Sequence, residues 1–171
     1  FDPFWNTQYK EKVSLSGEIL TNMNRALQII EKNKNAGVKN PYDFEIFRTT
    51  AELIKHTCNT YIDLSNLEYA IKDAHVSRFV DCNASVSSLI KAQNIVGTSL
   101  SRRESVYSDL VKVYEETRLP KGLSTPDKKF FWQQDRARHF GFRRPDMSFL
   151  IYDEQLLDLE GYLEKLKNYT E

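Results

Sequence analysis

Residues that break helices are scarce in this sequence. It holds only 6 Gly and 5 Pro, and a chain so sparingly punctuated has room for long uninterrupted helices. Cysteine is scarcer still. Cys58 and Cys82 are the only two, too few for a metal framework, and their helical settings make them small buried hydrophobes ahead of a disulfide pair. No apolar run approaches the roughly 18 residues that a membrane-spanning helix requires, so no transmembrane span is expected. An excess of charge of one sign is also missing, because 24 Lys and Arg balance 24 Asp and Glu for a formal net charge of 0. Nucleic-acid binders hold phosphates through a basic excess, so nucleic acid is not an expected partner. The chain opens at Phe1 with no basic-then-apolar leader, which reads as a mature chain or a piece of a longer one.

What is present points to helix. Hydrophobic residues make up 40% and charged residues 28% of 171 positions, the profile of a single globular domain covering residues 1–171. Leu20, Met23, Leu27 and Ile30 recur at alternating intervals of three and four and mark one stripe of a first helix. That helix is expected to begin just after Asp2 and Pro3, the first a capping residue and the second suited to a first turn. Gly37 and Pro41 then give a stop followed by a restart.

A second helix carries Phe47, Ala51, Ile54, Cys58 and Tyr61 on its stripe and continues through Leu64, Leu67 and Ile71. A third, with Asn83 as its expected cap, carries Val86, Leu89, Val96, Leu100, Tyr107, Leu110 and Tyr114, its apolar seam interrupted by Gln93 and Arg103. Two Pro and one Gly within "LPKGLSTPDKK" mark a loop. A brief helix over 128–139 follows, and a last one bears Leu156, Leu159, Leu163 and Leu166. No period-two alternation is long enough for a strand. The expected fold is all-α, an elongated antiparallel bundle of about four main helices plus one short helix.

Catalytic signatures are missing. No Glu has a His three residues on, as a dinuclear carboxylate bundle needs, and no phosphate loop, nucleophile elbow or spaced Cys-His motif occurs. Glu52 and His56 share a helical face, but with His75 and His139 as the other imidazoles they read as a local ion pair rather than as metal ligands. No catalytic residue, metal or cofactor is therefore assigned.

Charge is distributed unevenly along the chain. Residues 118–144 hold eight Lys and Arg against two Asp, a net of +6, whereas residues 145–171 carry seven acids against two Lys, a net of −5. Either the basic stretch folds over the acidic last helix, or it faces a partner. In the second case Arg136, Arg143 and Arg144 are suited to bidentate contacts with carboxylates, and Trp132 offers a flat surface for a sugar ring. Asp135 and His139 complete the candidate binding set of Trp132, Asp135, Arg136, His139, Arg143 and Arg144. A second aromatic cluster, Phe1, Phe4, Trp5 and Tyr9, either docks on the chain's own core or is left exposed where a neighbouring domain would sit.

The stretches "FEIFRTTAELIKHTCNTYIDLSNLEYAI" and "WQQDRARHFGFRRPDMSFLIYDEQLLDLEGYLEKL", with "FDPFWN" ahead of them, resemble the helical region that follows the catalytic barrel in large bacterial glycoside hydrolases. The enzymes concerned are of the Bacteroidetes type and related to the family 20 β-N-acetylhexosaminidases. The resemblance implies a non-catalytic accessory domain from the carboxy-terminal part of a secreted or cell-envelope enzyme, extracellular or periplasmic, with the catalytic barrel of the parent chain as partner and glycan as a possible ligand. It carries over no catalytic residue, because Asp153-Glu154 has no barrel-strand context. The alternative is a stand-alone helical module that presents a bundle face to a protein partner, with Gln93 and Arg103 on the presented seam.

Overall fold

The computed structural model describes residues 4–37, 39–116 and 157–170. Among them the chain forms five helices and no strand: α1 (Trp5–Gln8), α2 (Lys10–Asn35), α3 (Pro41–Ser77), α4 (Cys82–Glu115) and α5 (Leu159–Asn168). The all-α bundle is thus the observed architecture. The short helix expected over 128–139 lies outside the described residues, as do the candidate cap Asp2 and the basic stretch 118–144.

Local chemistry sets the boundaries. The expected first helix is interrupted at Tyr9 (φ −113°, ψ 17°), yet the ladder continues across it, with Tyr9 N–H donating to the Trp5 carbonyl at 2.9 Å and Val13 N–H to the Tyr9 carbonyl at 3.0 Å. Gly37 takes φ +76° after α2, a left-handed conformation that costs a residue with a Cβ, and Pro41 opens α3 where its missing N–H is harmless. The cap of α4 is Asp81, not Asn83. Its carboxylate accepts the N–H of Asn83 at 2.9 Å and of Ala84 at 3.3 Å, which places Asn83 inside the first turn. Cys82 therefore sits exposed at the helix start, against the expectation of burial, while Cys58 is buried and both are free thiols.

Side-chain pairs fix the packing. Helix α3 lies between α2 and α4. The Tyr42 hydroxyl donates to the Val113 carbonyl at 3.1 Å, Arg48 bridges to Asp109 at 2.7 Å, Arg102 to Asp63 at 2.5 Å, and Ser85 Oγ donates to the Ala74 carbonyl at 2.8 Å. These contacts run from one end of α3 to the other in descending order along α4, so the two are antiparallel. Helix α2 is antiparallel to α3 in the same way, with Lys34 paired to Glu45 at one end and Asn6, just ahead of α2, bonded to the Ser65 carbonyl at 3.1 Å at the other.

The core gathers where α3, α4 and α5 meet: Leu67 and Ala70, Ala92 and Val96, Leu159 and Leu166. Burying each of the large aliphatic side chains is worth about 1.5–3 kcal/mol. Helix α2 adds no buried hydrophobic residue, and its one buried position is Ser16, whose hydroxyl donates to the Lys12 carbonyl at 2.7 Å. Phe47 and Ile54, assigned to the buried stripe of the second helix, are exposed. Because α3 is covered on two sides, its buried positions other than Leu67 are small or polar: Thr49, Ala51, His56, Cys58, Ser65, Glu68, Ala70 and Ala74.

The two polar interruptions of the α4 seam hold α5. Gln93 Nε2 donates to the Leu166 carbonyl at 3.0 Å and to Thr170 Oγ1 at 2.5 Å, and buried Arg103 pairs with Glu160. Arg103 Nη1 has no hydrogen-bond partner among the described residues.

Candidate functional site

The N-terminal arm contributes Trp5, Tyr9 and Lys12 to a groove on the described part of the bundle. Helix α1 has no side-chain cap of its own. Glu68 on α3 supplies one: its Oε2 accepts the Asn6 N–H at 2.5 Å, and its Oε1 pairs with Lys72. Glu68 is only 1% exposed, and a buried carboxylate is tolerable only when hydrogen-bonded and paired. Together with the bond from Asn6 Nδ2 to the Ser65 carbonyl, this contact seats α1 on α3.

Seating α1 brings three rings together. Trp5 and Tyr9 lie 4.8 Å apart between centroids, Trp5 and Tyr61 5.9 Å, and Tyr9 and Tyr61 6.4 Å, all mutually tilted. They line one side of a groove of about 370 Å³, completed by Lys12, His56, Thr57, Thr60, Leu64 and Leu157. Of the aromatic cluster seen in the sequence, Trp5 and Tyr9 thus dock on the chain's own α3, whereas Phe4 is exposed; Phe1 lies outside the described residues.

The polar groups of the groove are oriented by the backbone. Thr60 Oγ1 donates to the His56 carbonyl at 2.9 Å and Thr57 Oγ1 to the Leu53 carbonyl at 3.2 Å, which commits each hydroxyl proton and leaves the oxygens as acceptors. His56 is buried, edge-on to Tyr107 at 5.9 Å, with Arg102 Nε 3.5 Å from its Nδ1. Arg102 in turn bonds Asp63 at 2.5 Å and Ser99 Oγ at 3.1 Å. Glu52 bridges to Lys55 at 3.3 Å. Lys12 Nζ lies over the Tyr9 ring at 5.3 Å and the Tyr61 ring at 5.8 Å, within the range of cation–π attraction.

Such a set can stack on a ring, accept hydrogen bonds from hydroxyls and present one ammonium. The described lining residues include no Asp or Glu, so the paired carboxylates of glycoside hydrolysis have no representative among them. No cluster of three or more His, Cys, Asp or Glu suited to a metal occurs among the described residues, and none of their helices is long and apolar enough to cross a membrane.

The candidates drawn from the sequence, Trp132, Asp135, Arg136, His139, Arg143 and Arg144, all lie outside the described residues. The groove itself was half visible in sequence: Trp5 and Tyr9 stood out as aromatic, but Tyr61 was assigned to an ordinary apolar stripe, and Lys12, Thr57 and Thr60 carried no motif. Only the α2–α3 register, which sets residue 9 beside residue 61, assembles them. No protein-family model matches the chain, and neither a curated protein nor a solved structure matches it.

Proposed function

We propose that this chain is a non-catalytic helical domain that contacts glycan, acting as an accessory to the catalytic barrel of a secreted, β-N-acetylhexosaminidase-like glycoside hydrolase. The observation that carries the glycan contact is the groove: three aromatic rings beside two threonine oxygens aimed by the backbone. Saccharides present an apolar C–H face and a rim of hydroxyls, and a site with ring faces next to fixed acceptors matches both. A second feature supports an accessory role. The last turn of α3 and the α3–α4 connection expose Val76, Phe79 and Val80, the last at 90%, an apolar end of the bundle of the sort that packs against another domain. The stand-alone module draws less support, since Gln93 and Arg103, the residues expected on its presented face, are occupied by α5.

The test is titration of the full chain with N-acetylhexosamine-containing oligosaccharides, for the wild type and for Trp5→Ala, Tyr61→Ala, Trp132→Ala and Arg136→Ala. Binding that is lost in Trp5→Ala and Tyr61→Ala supports the groove as the glycan contact. Loss confined to Trp132→Ala and Arg136→Ala moves the contact to the basic stretch, and no binding at millimolar ligand removes the glycan reading. A reading frame that encodes a barrel ahead of Phe1 supports the accessory role.

A further inference from the structure

We infer that the groove selects a saccharide whose ring bears an anionic substituent, a carboxylate or a sulfate, through Lys12. This inference rests on the reading of the groove as a glycan contact and adds the charge of the ligand to it.

Lys12 supplies the one ammonium among the described lining residues, and those residues include no Asp or Glu to oppose it. Three other lysines of the bundle are paired with acids, Lys34 with Glu45, Lys55 with Glu52 and Lys72 with Glu68. Lys12 has ring faces for neighbours and no carboxylate partner among the described residues. Behind the wall, Arg102 is matched by Asp63, so that pair leaves the sign at the mouth unchanged. Tyr9 and Tyr61 hold the ammonium beside the groove rather than free in solvent. A ring stacked in the groove, with hydroxyls donating to Thr57 and Thr60, would present an equatorial or exocyclic anion to that ammonium. Lys12 is exposed, so the gain is that of a screened pair, about three- to fivefold in affinity at low salt.

The experiment titrates the full chain with matched pairs: methyl glucoside against methyl glucuronide, and N-acetylglucosamine against its 6-sulfate. Each is measured at low salt and at high salt, for the wild type, Lys12→Gln and the off-groove control Lys10→Gln. The expected result is tighter binding of the anionic member by at least about threefold, with the gap closing in high salt and in Lys12→Gln but not in Lys10→Gln. Which pair shows the larger gap identifies carboxylate or sulfate as the group recognised. Equal binding of neutral and anionic members, with Trp5→Ala still abolishing both, overturns the charge selection and leaves the glycan contact standing. A gap that survives Lys12→Gln overturns the role of Lys12. Binding of neither member overturns the contact and the selection together.

Discussion

Glu68 offers the sharpest perturbation, because this one side chain on α3 seats the arm that brings Trp5 to the groove. Glu68→Ala removes the acceptor of the Asn6 N–H and the partner of Lys72 together. A hydrogen bond to a charged group contributes about 1.5–3 kcal/mol. The Lys72 side chain is 50% exposed, so its pairing is screened and adds at most about 1 kcal/mol. Relief of the desolvation of a buried carboxylate offsets part of the loss. The net expectation for Glu68→Ala is a destabilisation of about 1–3 kcal/mol. Glu68→Gln should cost less, since its carboxamide oxygen still accepts from Asn6 while the Lys72 attraction is lost.

The location of the effect matters as much as its size. The chain has two tryptophans, Trp5 and Trp132, so a Trp132→Phe background makes Trp5 the sole tryptophan reporter. In that background Glu68→Ala should shift Trp5 emission to the red and raise its quenching by iodide at urea concentrations where helical circular dichroism is unchanged. Trp5 emission identical to that of the parent, with an unshifted urea midpoint, would refute the seating role.

Three further outcomes are expected. Leu159→Ala, in the α3–α4–α5 core, should lower stability by about 2–5 kcal/mol by urea denaturation, with Leu100→Ala, only half-buried, costing less; an unchanged midpoint for Leu159→Ala would contradict the assigned core. Gly37→Ala should cost about 1–2 kcal/mol, because φ +76° places a Cβ in the left-handed region; the thermal midpoint reads it. Hydrogen bonds from Lys34 and then Arg48 hold the Glu45 carboxyl below the usual carboxylate range. Its contribution is therefore fully present above that range and lost as pH falls through the lowered folded value, so melting curves of wild type and Glu45→Gln should differ at neutral pH and converge in acid.

Periodicity located the long helices, and the Gly37 and Pro41 punctuation located their first junction, because both signals act within a few residues. Faces were harder to read. Phe47 and Ile54 share an apolar stripe with Ala51 and Cys58, yet the first two are exposed and the last two buried, since a helix enclosed on two sides lets its neighbours approach over small residues, which hydropathy does not distinguish. Asp81 displaced Asn83 as cap because which side chain reaches the free N–H groups depends on a backbone conformation, extended at Asp81, that composition does not reveal. Nothing in the local sequence distinguishes Glu68 from the other acids of α3, and only its contact with Asn6, 62 residues away, gives it a role. Of the groove, the sequence shows Trp5 and Tyr9 as an aromatic cluster, but the partners on α3 and Leu157 join them only through long-range register.

The absence of any buried hydrophobic residue from α2 divides the molecule into layers of unequal permanence. Helices α3, α4 and α5 share the core, so their amides should exchange with solvent only through global opening, whereas α1 and α2 can lift away as a smaller cooperative unit at lower free energy. Trp5, Tyr9 and Lys12 belong to that looser layer, and His56, Thr60 and Tyr61 to the firm one. A ligand spanning the groove therefore bridges two foldons, and its binding free energy is linked to the opening of the outer layer. Occupancy would be felt along the whole of α2, to Asn35, as slowed amide exchange far beyond the atoms the ligand touches.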